Sequence, residues 1–161
     1  MRITPHRTKP AIRALLWLAL FLYTAVLVYI VFFARRRQAL EWSPLLVNKV
    51  PLLNTIRDHD NIVEIGWWNY WDNIFGNIAI FLPLPILLAS VSGLRSRTWL
   101  VGCGIAVSVL IEVLQYIFRV GVPDIDDIIF NSTGVLLGVV LWELLFRKIM
   151  RRFAYQHREG S

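Results

Sequence analysis

VSVLIEVLQYIFRVGVPDIDDIIFNSTGVLLG, residues 107–138, joins two apolar segments of membrane type through a short polar turn. Acidic and amide side chains lie on both sides of that turn: Glu112, Gln115, Asp124, Asp127 and Asn131. The first two are three residues apart and the last three are spaced three and four apart, so each set occupies one helical face. A charge at the centre of a bilayer costs about 2.5–3.5 kcal/mol or more, so we expect these groups to be used. Asp126 points away from their face, and we expect its side chain to be solvated.

The composition is that of an integral membrane protein. Apolar residues make up 57% of the 161 residues and the mean hydropathy is +0.55, while the charges lie between apolar blocks. The net charge of +6 comes from Lys and Arg beside those blocks, as expected on the cytoplasmic side of a membrane, so it does not indicate nucleic-acid binding. The lone Cys103 cannot form an internal disulfide, and His6, His59 and His157 lack metal-ligand spacing. No cofactor is predicted.

Four apolar segments are long enough to cross a membrane: residues 14–34, 73–91, 99–118 and 126–146. The first is longer than the apolar region of a cleavable signal peptide, about 7–15 residues, and it ends at Arg35-Arg36-Arg37, so it is predicted to be a retained span. We therefore predict a single all-α domain over residues 1–161. It is an integral membrane bundle of four transmembrane helices with an amphipathic, interfacial first loop.

The first loop, residues 35–72, is the longest polar segment, and two prolines interrupt regular structure in it. Residues 42–47, WSPLLV, are too short to span a bilayer and are predicted to be interfacial. Aromatic residues cluster before the second span: Trp67, Trp68, Tyr70 and Trp71. Such rings favour the headgroup level, so the cluster is interpreted as an interfacial belt, with a role in binding as the alternative.

Two spans carry residues that determine helix shape and packing. Pro83 and Pro85 lie in the middle of the second span and are predicted to kink it. Gly134 and Gly138 in the fourth span form a small-residue pair that suits close helix contact. At the end of the same span, Glu143 is expected to pair with a basic residue one turn later, Arg147.

The distribution of basic residues predicts the orientation. Eleven of the 17 Lys and Arg residues lie in the N-terminal head, the second link and the C-terminal tail, and six lie in the first loop and the third turn. The positive-inside rule therefore predicts a multi-pass protein of the cell membrane with both termini in the cytoplasm and loop 35–72 outside. Antiparallel packing brings the unusual polar residues to one membrane face, in the outer leaflet: Asn77, Glu112, Gln115, Asp124, Asp127 and Asn131.

Four short segments carry a resemblance to a known family: residues 47–52 (VNKVPL), 76–83 (GNIAIFLP), 112–115 (EVLQ) and 121–134 (GVPDIDDIIFNSTG). In this order and spacing the chain resembles the VanZ-like (teicoplanin resistance) membrane proteins over roughly residues 45–142. One departure is Pro85, where the family usually has glycine two residues after the proline. The resemblance implies a bacterial cell-envelope protein, and the named member of the family is associated with low-level resistance to the glycopeptide teicoplanin.

Three functions fit the polar cluster. In the one we favour, the protein is not an enzyme: it binds a lipid headgroup or an amphiphile, and its partners are membrane lipids, a glycopeptide or a cell-wall precursor lipid. The alternative is an intramembrane metal-assisted hydrolase or transferase that uses Glu112, Asp124 and Asp127 as acid, base or cation ligands. Catalysis by a Ser or Cys nucleophile is not indicated, because no such residue has a His partner. In the third, the polar groups only bond helix to helix, at about 0.6 kcal/mol each.

Overall fold

The computed structural model describes residues 10–34, 43, 47–93 and 96–159, with side chains up to residue 145 except that of residue 34. Its helices are α1 (Pro10–Tyr29), which continues into a π-helical turn (Ile30–Ala34), α2 (Leu53–Asp60), α3 (Ile62–Ile65), α4 (Trp67–Phe81), α5 (Pro83–Ser92), α6 (Arg97–Phe118) and α7 (Ile125–Glu159). The described residues contain no strand, only an isolated bridge between Asn48 and Asp124. The all-α prediction is confirmed.

Four helical segments are long and apolar enough to cross a membrane: Pro10–Phe33, Trp67–Ser92, Arg97–Phe118 and Ile125–Leu145. This number agrees with the predicted bundle of four transmembrane helices. The second segment begins at Trp67 rather than at Asn73. The aromatic cluster therefore lies on the first turns of α4 instead of in the loop before it, and Trp68 is 89% exposed there.

Helix α7 is the centre of the bundle, because it packs against α4, α5 and α6. Gly134 and Gly138 lie at the contact with α4 and α5. A Cβ atom on Gly134 would lie 2.3 Å from the carbonyl oxygen of Ile78, and one on Gly138 would lie 2.2 Å from that of Leu82. Only glycine allows backbones to come this close, so the predicted close contact of the glycine pair is confirmed.

The two prolines interrupt the second membrane segment at Leu82, between α4 and α5. Pro83 has no N–H to donate, which breaks the hydrogen-bond ladder, yet Leu82 keeps helical dihedral angles of φ −59° and ψ −40°. Pro85, the departure from the family pattern, is buried, and its ring lies against Gly138. Because Gly138 has no side chain, the ring of Pro85 can pack directly against its backbone.

Apolar side chains fill the bundle below the polar end. One cluster combines buried residues from every membrane segment: Leu27, Val31, Phe81, Leu84, Ile111 and Val135. Helix α1 packs on α5, and the hydroxyl of Tyr23 donates a hydrogen bond of 2.7 Å to the carbonyl oxygen of Ile80. A hydrogen bond from Gln115 to the carbonyl oxygen of Val31 places the C-terminal end of the first membrane segment beside the end of α6.

Some sequence predictions fall outside the described residues. Glu143 forms an ion pair with Arg97 at the start of α6, and the predicted pair with Arg147 involves a side chain that is not described. This ion pair ties the end of the fourth membrane segment to the start of the third. The predicted interfacial piece 42–47, apart from Ser43 and Val47, the basic residues before residue 10, Arg35-Arg36-Arg37 and the last two residues lie outside the described residues.

Candidate functional site

The N-terminus of α7 is the point from which the site is built. A helix begins with backbone N–H groups that have no partner inside the helix, and these need acceptors. The carboxylate of Asp124 accepts a hydrogen bond of 2.9 Å from the N–H of Asp126, and the carbonyl of Asn48 accepts one from the N–H of Ile125. The N–H of Asp124 itself donates to Glu112 Oε2 over 2.9 Å. Two carboxylates thus cap α7, as its dipole favours.

Asp124 also holds the first loop. Its Oδ1 accepts a hydrogen bond of 2.7 Å from Asn48 Nδ2, and its Oδ2 accepts one of 2.7 Å from Asn54 Nδ2. The side chain is 3% exposed and does not line the cavity described below. The structure therefore places this predicted site residue in a supporting position, where it joins the loop to the start of α7.

Asp126 is buried, not solvated as its helical face predicted. It is 0% exposed, and its carboxylate accepts hydrogen bonds from the N–H of Leu52 and from both the N–H and the hydroxyl of Thr55. These donors belong to the first turn of α2, whose N-cap residue, Leu52, has no side-chain acceptor. Asp126 supplies that cap from another helix. The prediction failed because α2 covers the face of α7 that the sequence pattern assigned to water.

A polar cavity of about 250 Å³ lies at this end of the bundle, between α4, α6, the start of α7 and the π-helical turn after α1. Five of the six predicted site residues line it: Asn77, Glu112, Gln115, Asp127 and Asn131. Its apolar lining is formed mainly by Val31, Ile80, Phe81 and Ile111. The cavity therefore joins acidic and amide groups to an apolar surface.

A short hydrogen bond joins the second and fourth membrane segments across the cavity. Asn77 Nδ2 donates to Asp127 Oδ1 over 2.6 Å, and Asn77 is 2% exposed. Asn77 lies within α4, and Asp127 lies in the first turn of α7, where a helix N-terminus favours a negative charge. The second and fourth membrane segments run in the same direction, so their first halves lie at the same end of the bundle and two residues fifty positions apart in sequence come together.

Asn131 has an unusual environment one turn further along α7. Its Nδ2 donates a hydrogen bond of 3.0 Å to the hydroxyl of Ser108, while its Oδ1 is buried without a hydrogen-bond partner. The residue is 3% exposed and lines the cavity. A buried acceptor without a donor is rare in folded proteins and costs about 1–3 kcal/mol. It therefore marks a position where a ligand or a water molecule would complete the contacts.

Gln115 connects the cavity to the first membrane segment. Its Nε2 donates a hydrogen bond of 3.3 Å to the carbonyl oxygen of Val31, which lies in the π-helical turn Ile30–Ala34. Single π-helical turns are rare and are frequently found at functional sites. The amide of Gln115 therefore closes one side of the cavity against the end of α1.

Further polar residues line the cavity that the sequence reasoning did not select: Asn69, Asp72 and Asn73. Asn69, Asn73 and Asn77 are spaced four apart, so they form one stripe along α4. The signal was present, but the predicted boundary placed Asn69 in the loop and Asn73 at the first residue of the second span, which divided the stripe. Asn48, which bonds Asp124, stood in one of the segments that carried the family resemblance without being given a role.

The contacts distinguish the alternatives for the acids. Asp124, one of the three acids of the metal-assisted alternative, is bonded to Asn48 and Asn54 instead of facing the cavity. Within the described part of the chain, no three His, Cys, Asp or Glu side chains come together as they would to hold a metal ion. The carboxylate and amide groups that line the cavity can accept hydrogen bonds from a ligand.

The fold and the cavity define a multi-pass helical membrane protein with a polar cavity at one end of its bundle. The family model described as VanZ/LLP1 matches residues 20–147, and the chain belongs to this family, as the resemblance in its sequence predicted. Protein VanZ of Enterococcus faecium is 27% identical over 129 residues, which cover 78% of this chain and 71% of that relative. No solved structure matches the chain.

Proposed function

We propose that this chain is a bacterial cell-envelope protein that binds an amphiphile or a lipid headgroup in its polar cavity. The cavity lies in the outer leaflet, and occupancy lowers susceptibility to lipid-bearing glycopeptides such as teicoplanin. The cavity is the observation that carries the proposal, because polar and apolar walls together suit a molecule that is itself amphiphilic. Membership of the VanZ/LLP1 family and similarity to Protein VanZ support the link to glycopeptides.

The position of the cavity supports the membrane surface as the place of action. Its lining residues lie along α4, which forms the first part of the second membrane segment, at the end of α6 and at the start of α7, and together these mark one end of the bundle. Exposed aromatic side chains, Trp67 and Trp68, lie on the first turn of α4 at the same end, as expected at the headgroup level. A headgroup can thus reach the cavity while its acyl chains stay beside the apolar helix surfaces.

A purely structural role accounts for part of the polar cluster only. The bonds from Asn77 to Asp127 and from Asp124 to Glu112 hold helices together, as that role requires. It leaves the Oδ1 of Asn131 without a donor, which lowers stability unless a water molecule or a ligand bonds it. A ligand in the cavity is the donor that the proposal supplies.

The proposal is tested by expressing the chain in a susceptible Gram-positive host, with empty vector as the control. Minimal inhibitory concentrations are measured for teicoplanin, which carries an acyl chain, and for vancomycin. Binding of an amphiphile at the membrane surface predicts a larger rise in tolerance for teicoplanin. Equal protection against both compounds, or none against either while the protein is found in the membrane, contradicts the proposal.

A further inference from the structure

We infer that the cavity takes a primary ammonium group, carried by a membrane aminolipid. This inference rests on the proposed function and specifies its ligand. The ammonium end of the headgroup occupies the space beside Glu112, Asp127 and Asn131, and the phosphate of the lipid remains outside the cavity. The inference follows from the charge of the lining, from one partnerless acceptor and from the size of the space.

The acidic side chains that line the cavity favour a cationic ligand. Three acidic residues face the cavity, Asp72, Glu112 and Asp127, and the other polar groups are neutral amides. None of the described residues that line it is a Lys, Arg or His. Electrostatic complementarity therefore favours a positive ligand and opposes a phosphate or a carboxylate in the same place.

The partnerless oxygen of Asn131 selects a hydrogen-bond donor independently of that charge. The Nδ2 of Asn131 donates to Ser108, and the Oδ1 is a buried acceptor without a hydrogen-bond partner, on a residue that lines the cavity. A primary ammonium has three N–H donors and no acceptor, which fits an acceptor-rich lining, whereas a quaternary ammonium has no donor. Asp127 lies four residues before Asn131, and side chains at this spacing lie on one helical face, so one ammonium group can address both.

The size of the cavity indicates that one end of a larger molecule enters. Its volume of about 250 Å³ lies below the range of about 300–1,000 Å³ that is usual for drug-sized ligands. The apolar lining from Val31, Ile80 and Phe81 can cover the methylene groups next to the nitrogen. A divalent metal ion is a poorer match. Among the described residues, no three Asp, Glu, His or Cys side chains lie close enough to one another to hold one.

The test uses a series of lipids that differ only in N-methylation. The full chain is purified in detergent and titrated with phosphatidylethanolamine, its monomethyl and dimethyl derivatives, and phosphatidylcholine. Binding is followed by native mass spectrometry and by thermal unfolding. We expect affinity to fall along the series, by about tenfold from the first lipid to the last, because N–H donors to charged acceptors are lost. Phosphatidylglycerol, which has no ammonium, is expected to bind no better than phosphatidylcholine.

Two variants assign the effect to the cavity. Asp127→Asn removes one charge from the lining and is expected to abolish the preference for the primary amine. Asp60→Asn also removes one charge, but from a side chain that is 72% exposed on α2, and it is expected to keep the preference. The lipid series itself uses the unmodified chain, so it decides the question even where Asp127→Asn does not fold.

The outcomes separate this inference from the proposed function. Equal binding of phosphatidylethanolamine and phosphatidylcholine overturns the ammonium inference and leaves lipid binding in place. Absence of binding for every lipid overturns the ammonium inference, and the comparison of teicoplanin with vancomycin then decides the proposed function. Stabilisation by ammonium or sodium salts without lipid, to the same extent as by phosphatidylethanolamine, overturns the aminolipid as the source of the cation. Loss of the preference in Asp60→Asn as strongly as in Asp127→Asn overturns the location.

Discussion

The carboxylate of Glu112, near the end of α6, accepts a hydrogen bond of 2.9 Å from the backbone N–H of Asp124, which caps α7. This bond closes the turn between the third and fourth membrane segments. It also links the two roles of the acids, because Glu112 both lines the cavity and supports the start of α7. Substitutions at Glu112 therefore affect stability as well as binding.

Glu112→Gln is expected to lower the free energy of unfolding by about 1 kcal/mol. The amide can still present an oxygen to Asp124, but a hydrogen bond to a charged group contributes about 1.5–3 kcal/mol and a neutral one about 0.5–1.5. Glu112→Ala removes the acceptor and leaves a helix N-terminal N–H unpaired, so a loss of about 2 kcal/mol is expected. Thermal unfolding in detergent measures both. If Glu112→Ala unfolds at the same temperature as the unmodified chain, the bond does not support α7.

Asp126→Ala is expected to release α2 from the bundle. The substitution removes the acceptor of three hydrogen bonds from the first turn of that helix and leaves the N–H groups of Leu52 and Thr55 unpaired. We expect amide hydrogen exchange to accelerate in residues 52–55 and stability to fall by about 2 kcal/mol or more. Asp60→Ala, which removes an exposed acid from the same helix, is the matched control. Unchanged exchange in Asp126→Ala is the result that contradicts the cap.

Gly134→Ala is expected to destabilise the bundle by about 1–3 kcal/mol, because its Cβ would lie 2.3 Å from the carbonyl oxygen of Ile78 and the two helices must move apart. Gly102→Ala on α6 is the control, since nothing lies within 4 Å of its added Cβ. Alanine is the better helix former, so that variant is expected to keep or raise the unfolding temperature. Similar losses in both variants are incompatible with the close contact.

Sequence reasoning predicted the convergence of the polar groups because it follows from simple geometry. Asn77 is early in one membrane segment, and Glu112 is late in the next. Antiparallel neighbours therefore bring them to one end, where the structure places both beside the same cavity. Helical spacing likewise put Asp127 and Asn131 on one face. The four apolar segments were enough to predict a bundle of four membrane helices, and the glycine pair was enough to predict the close helix contact.

The positions that sequence reasoning missed depend on long-range contacts. Helical periodicity predicts that the side of α7 that carries Asp126 faces water, but α2 packs against that side and buries it. No local sequence pattern predicts that the first loop brings Asn48 and Asn54 to the carboxylate of Asp124, seventy or more positions away. The hydrogen-bonding needs of two helix N-termini bring these residues together, and this becomes visible only once the chain is folded.

The proposed orientation is tested by cysteine labelling from outside the cell. The native Cys103 is first replaced by Ser, and Asn61→Cys and Gly160→Cys are then made separately. Asn61 is exposed at the junction of α2 and α3, on the loop that is predicted to be extracytoplasmic. A membrane-impermeant maleimide should label Asn61→Cys and leave Gly160→Cys unlabelled until the cells are opened. The reverse pattern places the cavity on the cytoplasmic side.

The most direct test of the central claim, that the cavity carries the function, is teicoplanin tolerance in cells that express Asp127→Asn. This substitution keeps an acceptor for the hydrogen bond from Asn77 and removes the charge, so a loss of stability of only about 1 kcal/mol is expected, as for Glu112→Gln. Asp60→Asn is expressed in parallel as the matched exposed control. The account predicts that tolerance falls to the empty-vector value in Asp127→Asn and is retained in Asp60→Asn. Full tolerance in an equally abundant Asp127→Asn protein would contradict it.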